Sequence, residues 1–248
     1  MRTKKIKILG LDFINEPVSK VYSILNTEGG FMTVPSGPGI ASIPDSREYY
    51  NALKYSDIIL ADSGLMALVW NLISKEKIIR TSGLGFINYF LEAYIITNHT
   101  KSLFLVNPAL DEQDANLKYL NSNGFNISSN DCYLAPIYDK LNIKDEKLLE
   151  ILNEQKPHWI LLNIGGGIQE ILGYWLRKNL SYKPAIICTG AAIAFKTGKQ
   201  VQIPSFIDKI YMGWLWRVIS NPKVYGKRFW EARTAATLVL KYKEKAIF

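Results

Sequence analysis

Trp159-Ile-Leu-Leu-Asn-Ile164 runs directly into Gly165-Gly-Gly167 and then into Ile168-Gln-Glu-Ile-Leu-Gly-Tyr-Trp-Leu-Arg-Lys178. The first segment is apolar without the alternation of a half-exposed strand, so it reads as a strand buried on both faces. The glycines read as a tight turn, and Gln169–Lys178 carries apolar residues at helical spacing. Ala185-Ile-Ile-Cys-Thr189 followed by Gly190-Ala-Ala repeats the strand and the small-residue turn. Outward from this unit the rhythm persists. Further strands are expected at Ile6–Phe13, Phe31–Val34, Asp57–Ala61, Ser102–Val106 and Asp131–Leu134. Helices are expected at Val18–Leu25, Ser46–Tyr55, Gly64–Leu72, Leu84–Ile96, Asp111–Asn123 and Lys144–Gln155. Pro35-Ser-Gly-Pro-Gly39 reads as a loop. Strands separated by helices argue for βαβ units: an α/β fold with a mainly parallel sheet flanked by helices, Rossmann-like.

After Pro204 the pattern changes to two helices with no strand between them, Phe206–Ile219 and about Lys223–Lys245, interrupted at Asn221-Pro222. This predicts a C-terminal helical appendage (204–248) on an α/β core (1–203). Charge is divided the same way. Residues 1–195 carry 19 Lys/Arg and 19 Asp/Glu, whereas residues 196–248 carry 11 Lys/Arg against Asp208, Glu231 and Glu244. The whole net charge of +8 therefore sits in the tail, with Trp214, Trp216 and Trp230. A basic, Trp-rich segment fits an anionic partner such as a membrane surface, and equally a docked helix with a solvated basic face.

With 248 residues, 48% hydrophobic and 21% charged, the composition is that of a globular chain and excludes disorder or a disulfide scaffold. Cys132 and Cys188 lack paired metal-ligand spacing, and His99 and His158 have no Cys, Asp or Glu at such spacing, so no metal is expected. No apolar run reaches the ~18 residues of a membrane span. The basic start has no signal-peptide core before Asp12, which leads us to expect a cytoplasmic protein.

In open parallel sheets ligands bind beyond the carboxyl ends of the strands, so chemistry is sought there first. Asp62, in Ala61-Asp62-Ser63-Gly64, stands at such an end. It reads as a general base or as an N-cap. Arg80, in Arg80-Thr-Ser-Gly83, reads as a diphosphate clamp or as a surface arginine. Gly165-Gly166-Gly167 before Gln169-Glu170 suits a phosphate at a helix N-terminus, or a tight turn alone. Glu170 occupies the third glycine position of G-x-G-x-x-G, which counts against a dinucleotide oxidoreductase. Asp111, Glu112 and Asp114 open a helix and read as structural.

Taken in order, these segments resemble the WecG/TagA/CpsF family of bacterial glycosyltransferases. The likeness runs from about Phe31 to Trp230. It rests on Leu60-Ala-Asp62-Ser-Gly, Arg80-Thr-Ser-Gly83, Gly165-Gly-Gly-Ile-Gln169-Glu170, Gly190-Ala-Ala-Ile-Ala-Phe195-Lys-Thr-Gly198, and Trp214-Leu-Trp216-Arg217 followed by Pro222 and Lys227-Arg228-Phe229. The resemblance implies inverting transfer from a nucleotide sugar, usually UDP-linked, to a polyprenyl-diphosphate-linked saccharide, without an obligatory metal or other cofactor. The pathways implied are exopolysaccharide, capsule or teichoic-acid synthesis at the cytoplasmic membrane face. It implies Asp62 as general base, Thr33 and Arg80 at the reaction centre, and Gln169 on the donor. It places the nucleotide sugar at Gly83, Gly165, Gly166, Gly167, Glu170 and Gly190; the family's Gly-Tyr that holds the base is replaced near Pro136-Ile-Tyr138, where Tyr138 is expected as the substitute stacking partner. It brings Arg217, Lys223, Lys227 and Arg228, with Trp214 and Trp216, to the acceptor diphosphate and anionic membrane. Members of the family can self-associate. The chain departs from the family pattern at Pro35, where the family has asparagine, at Gly167-Ile168 in place of Pro-Lys, at Ala194 in place of aspartate, and at Gln202-Ile-Pro204 in place of Arg-Ala-Pro. The competing expectation is a non-catalytic protein that binds nucleotide sugar or lipid diphosphate as a scaffold. No nucleic-acid motif accompanies the basic tail.

Overall fold

The computed structural model describes residues 3–96, 101–190, 192–197, 213–220 and 222–248. Eight strands form one sheet in the order β1-β2-β4-β3-β8-β7-β5-β6. They are β1 Lys5–Ile8, β2 Leu11–Ile14, β3 Gly30–Thr33, β4 Ile58–Ile59, β5 Leu103–Asn107, β6 Cys132–Leu134, β7 Trp159–Leu162 and β8 Ala185–Cys188. Strand β1 pairs antiparallel with β2, and every other pairing is parallel. The helices of the body are α1 Val18–Glu28, α2 Gly37–Ala41, α3 Arg47–Lys54, α4 Gly64–Ile73, α5 Gly83–Ile96, α6 Leu110–Ser122, α7 Glu146–Gln155 and α8 Ile168–Asn179.

Period-two geometry sends alternate residues of each buried strand to opposite faces. In β7, Trp159 and Leu161 join a core built on α1, α5 and α6, whereas Ile160 and Leu162 join one built on α7 and α8. Trp159 is fully buried and stacks on Tyr22 of α1 at 5.4 Å between ring centroids. Both faces being covered explains why this strand reads as a continuous apolar run.

The segment Ile6–Phe13, expected as one strand, is instead the β1–β2 hairpin. Leu9 (φ 55°) and Gly10 (φ 76°) both have positive φ, the signature of a tight two-residue turn that reverses the chain. The stretch Pro35–Gly39, expected as loop, carries the start of α2: Ser36 caps it through its Oγ, which accepts from Gly39 N–H at 3.3 Å, and Pro38 sits in the first turn, where its missing N–H is not needed.

At the C-terminus the helices Gly213–Ser220 and Pro222–Tyr242 follow the body. Residues 204–212, with the start of the first expected helix and the proposed 203/204 boundary, lie outside the described residues, as does Asn221. The far half of the last helix is built into the body. Ala235 and Val239 are buried against α2, α3, α4 and the first strands. The hairpin turn then holds the chain end: Leu9 N–H donates to Lys243 O at 2.7 Å and Gly10 N–H to Glu244 O at 3.1 Å. That turn lies at the amino edge of the sheet, and the last helix packs across α4 and α2, which start at the carboxyl edge. Its 21 residues span about 31 Å. Its N-terminal half is thereby directed toward the carboxyl edge.

Candidate active site

The neighbouring strands β4, β3, β8 and β7 end side by side, which gathers the loops after Ile59, Thr33, Cys188 and Leu162 along one edge. Asp62 follows β4 and keeps its side chain 27% exposed. It does not cap α4. Ser63 does so, its Oγ accepting from Met66 N–H at 3.3 Å. The Asp62 carboxylate instead turns to α5, where Oδ1 accepts from Gly83 N–H at 3.3 Å.

Arg80 is not a surface residue: its side chain is 10% exposed. It arrives on an extended segment stitched to the edge by Ile79 N–H to Asn15 Oδ1 at 2.7 Å and Thr81 N–H to Ala61 O at 3.1 Å. Its Nε donates to Asp62 O at 2.7 Å, leaving a terminal guanidinium nitrogen 3.9 Å from Asp62 Oδ1. Ser82 Oγ accepts from Gly85 N–H at 3.0 Å and so fixes the first turn of α5. A side-chain carbon on Gly83 would stand 3.2 Å from Thr189 O, so the α5 N-terminus presses on the turn after β8.

The two glycine turns are joined by one chain of hydrogen bonds. Gly190 N–H donates to Gln169 Oε1 at 2.9 Å, and Gln169 Nε2 donates to Glu170 Oε1 at 2.9 Å. Gly167 N–H donates to Glu170 Oε2 at 2.6 Å. Gly167 (φ 89°) and Gly190 (φ 61°) adopt backbone conformations that favour glycine. In front of Gly165, Gly166 and Gly167 an added side-chain carbon would meet nothing within 4 Å among the described residues, so the turn opens in front of the N-terminus of α8. An anion is favoured in such a place by the backbone N–H groups and the helix dipole.

Glu170 is 2% exposed, and burial raises its carboxyl pKa from the ordinary 4.5 to about 7, against the lowering pull of Gln169 and Gly167. Tyr49 and Cys188 face the carboxylate. Burial first, then the Glu170 charge, raises both of their pKa values. The folded chain therefore holds the Glu170 proton to higher pH than the unfolded chain does. Stability is full below about pH 4.5 and falls as pH rises toward 7, by roughly 3 kcal/mol. Glu170→Gln is expected to abolish that slope. Urea titrations of both proteins from pH 4.5 to 8 check it, and parallel profiles would discount Glu170 as the source.

Sequence reasoning and geometry part at three residues. Gln169 spends both side-chain polar atoms on the clamp between the turns, so it positions the turns. Thr33 is fully buried and donates to Ser56 Oγ at 3.0 Å, since Ser56 itself donates to Ala52 O at 2.9 Å. Tyr138 lies beyond the edge strand β6 and donates to Asp145 Oδ2 at 2.8 Å; Asp145 caps α7. Burial, then the Asp145 carboxylate, raises the Tyr138 hydroxyl pKa. Tail residues Trp214, Arg217, Lys223, Lys227 and Arg228 belong to the two C-terminal helices, but their side chains lie outside the described residues; Trp216 is half-buried. Asn107 and Asn163, which close the apolar runs of β5 and β7, were not singled out from the sequence. A polar amide ending two otherwise apolar strands was the available signal.

Among the described residues no group of three or more His, Cys, Asp and Glu is arranged to hold a metal ion, and no helix is long and apolar enough to cross a membrane. The arrangement offers a carboxylate at the strand ends, an arginine beside it and two linked glycine turns, one of them at a helix N-terminus, which suits group transfer from a phosphorylated donor. No curated protein matches the sequence. The family model described as "Glycosyl transferase WecG/TagA/CpsF family" matches residues 5–247. The match takes in both glycine turns, Asp62 and the C-terminal helices, and the chain belongs to this family of glycosyltransferases.

Proposed function

We propose that this glycosyltransferase moves a sugar from a UDP-sugar to a polyprenyl-diphosphate-linked saccharide, with inversion, at the inner face of the plasma membrane. Asp62 removes the proton from the acceptor hydroxyl as its oxygen attacks the anomeric carbon. The bond to the donor phosphate breaks on the opposite side, and the electron pair leaves with UDP. The growing charge on the diphosphate is met by N–H groups of the glycine turn, the α8 N-terminus and the Arg80 guanidinium. No metal enters this reading.

The observation that carries it is the unbroken line of contacts from the carboxylate to the turns: Asp62 to Gly83, Gly83 against Thr189, Gly190 to Gln169, and Glu170 to Gly167. A base and a diphosphate cradle held in one register suit transfer more than storage of a ligand. The last helix supports the membrane part of the reading, because its basic N-terminal half, with Lys223, Lys227 and Arg228, is directed toward the same edge.

The test incubates the purified chain with a panel of UDP-sugars and a short-chain lipid-diphosphate-GlcNAc acceptor. Acceptor-dependent UDP release with one donor is expected, together with a product heavier by that sugar. Donor binding without release across several acceptors would favour the scaffold role. The tail is probed by point substitution, because truncation would also remove Ala235 and Val239 from the core. Lys227→Glu with Arg228→Glu is expected to lower sedimentation with anionic liposomes at least tenfold. Unchanged sedimentation would rule out the basic segment as the membrane contact.

A further inference from the structure

A buried polar atom without a hydrogen-bond partner costs about 1–3 kcal/mol, so such atoms are few and call for a reason. Among the described residues six side-chain atoms qualify, and four share one region: Asn107 Nδ2, Asn163 Oδ1, Gln113 Oε1 and Thr189 Oγ1. Asn107 ends β5, Asn163 follows β7 and Thr189 follows β8, three adjacent strands. Gln113 stands on α6 one turn before Asn116, on the same face. The amides are braced: Asn107 Oδ1 accepts from Asn116 Nδ2 at 2.8 Å and from Asn163 Nδ2 at 3.2 Å. All three asparagines are at most 3% exposed. The bracing holds Asn107 Nδ2 and Asn163 Oδ1 in place without partners, and Gln113 Oε1 and Thr189 Oγ1 are unmatched as well.

The position is telling. From β5 the chain leaves outward to β6, and from β7 it leaves inward to β8, so the connections part between these neighbours. Open α/β sheets bind ligands at such a switch point. Along the carboxyl edge Asp62 stands at β4, the glycine turns at β8 and β7, and the amides at β7 and β5. Four strand spacings, about 19 Å, separate the two ends. A nucleotide sugar has the same order of parts: sugar, diphosphate, nucleoside.

We propose that Asn107, Asn163 and Gln113 read the polar edge of the donor nucleobase, Asn107 Nδ2 donating to a ring carbonyl of uracil while Asn163 Oδ1 and Gln113 Oε1 share its one ring N–H. The assignment rests on the nucleotide-sugar reading above. The four atoms are closed to solvent and the 3-10 turn Ile193–Phe195 packs against α6, so the proposal requires this segment to give way for the base to reach them.

The full-length chain, Asn163→Leu and Gln113→Met are titrated calorimetrically with UDP, CDP, GDP, ADP and inorganic pyrophosphate. The nucleoside diphosphate that the parent binds best is expected to bind each variant at least tenfold more weakly. Pyrophosphate affinity should stay within twofold; the melting temperature of Gln113→Met should be unchanged or higher because an unmatched polar atom has been removed, whereas Asn163→Leu also gives up its bond to Asn107 Oδ1. Nucleoside diphosphate affinity within twofold of the parent would overturn the proposal and leave the amides a structural brace. An equal loss for pyrophosphate would also overturn it, as general distortion of the site. A parent that binds pyrophosphate and no nucleoside diphosphate more tightly would refute base reading but keep the cradle. A parent that binds neither would defeat the nucleotide-sugar reading itself. Should Asn163→Leu fail to fold, Gln113→Met decides, because it breaks none of the hydrogen bonds within the amide cluster.

Discussion

Asp62→Asn is expected to fold like the parent and to lose sugar transfer by about 10²–10⁴-fold, the range for removal of a positioned general base. The fold should tolerate the change. Ser63, not Asp62, caps α4, so that helix does not depend on the carboxylate. An asparagine oxygen can still accept from Gly83 N–H, and the backbone carbonyl still accepts from Arg80 Nε. The ion pair with Arg80 at 3.9 Å becomes a neutral contact, while Arg80 Nε keeps its bond to the Asp62 backbone. Asparagine cannot take a proton from the acceptor hydroxyl, so chemistry fails while binding persists. UDP release with acceptor, beside a melting curve, measures both. Turnover within fivefold of the parent would refute the base assignment.

Gln169→Leu is the complementary case, in which structure and activity fall together. Gln169 is 3% exposed and links the two glycine turns. Leucine fills much of its volume but leaves Gly190 N–H and Glu170 Oε1 without partners. The buried Glu170 oxygen costs about 1–3 kcal/mol and the half-buried Gly190 N–H less, so a loss of roughly 1–4 kcal/mol is expected in denaturant titration. Transfer should drop more than tenfold even at temperatures where the variant stays folded, because the turns no longer share a register. A loss under about 1 kcal/mol with full transfer would mean that other contacts hold the turns. The contrast separates a residue that touches the reacting atoms from one that positions the backbone around them.

The pieces of the candidate site each carry a local signal in the residues. Asp62 and Arg80 sit just before helices, and the glycine turns interrupt apolar runs. The roles were less legible. Gln169 reads as a donor contact until its partners, Gly190 and Glu170, are seen on either side. Thr33 is expected at the reaction centre from the resemblance alone, and the fold buries it against Ser56. The amide cluster escaped notice because Asn107 and Asn163 are 56 positions apart and meet only through strand pairing.

The sequence by itself determined the α/β class, because apolar runs without alternation are stable only when both faces are covered. It also determined the glycine turns, the concentration of positive charge in the tail and the family. Only the tertiary structure decided the strand order, and with it which loops share an edge. That order depends on pairings between distant segments, which local periodicity does not encode. It set Gly83 against Thr189, joined Asn107 to Asn163, and tied residues 243 and 244 to the turn at Leu9 and Gly10. Hydrogen-bond partners were decided at the same level: a side chain's chemistry is written in the sequence, but whether that chemistry remains available to a substrate depends on what the fold brings next to it.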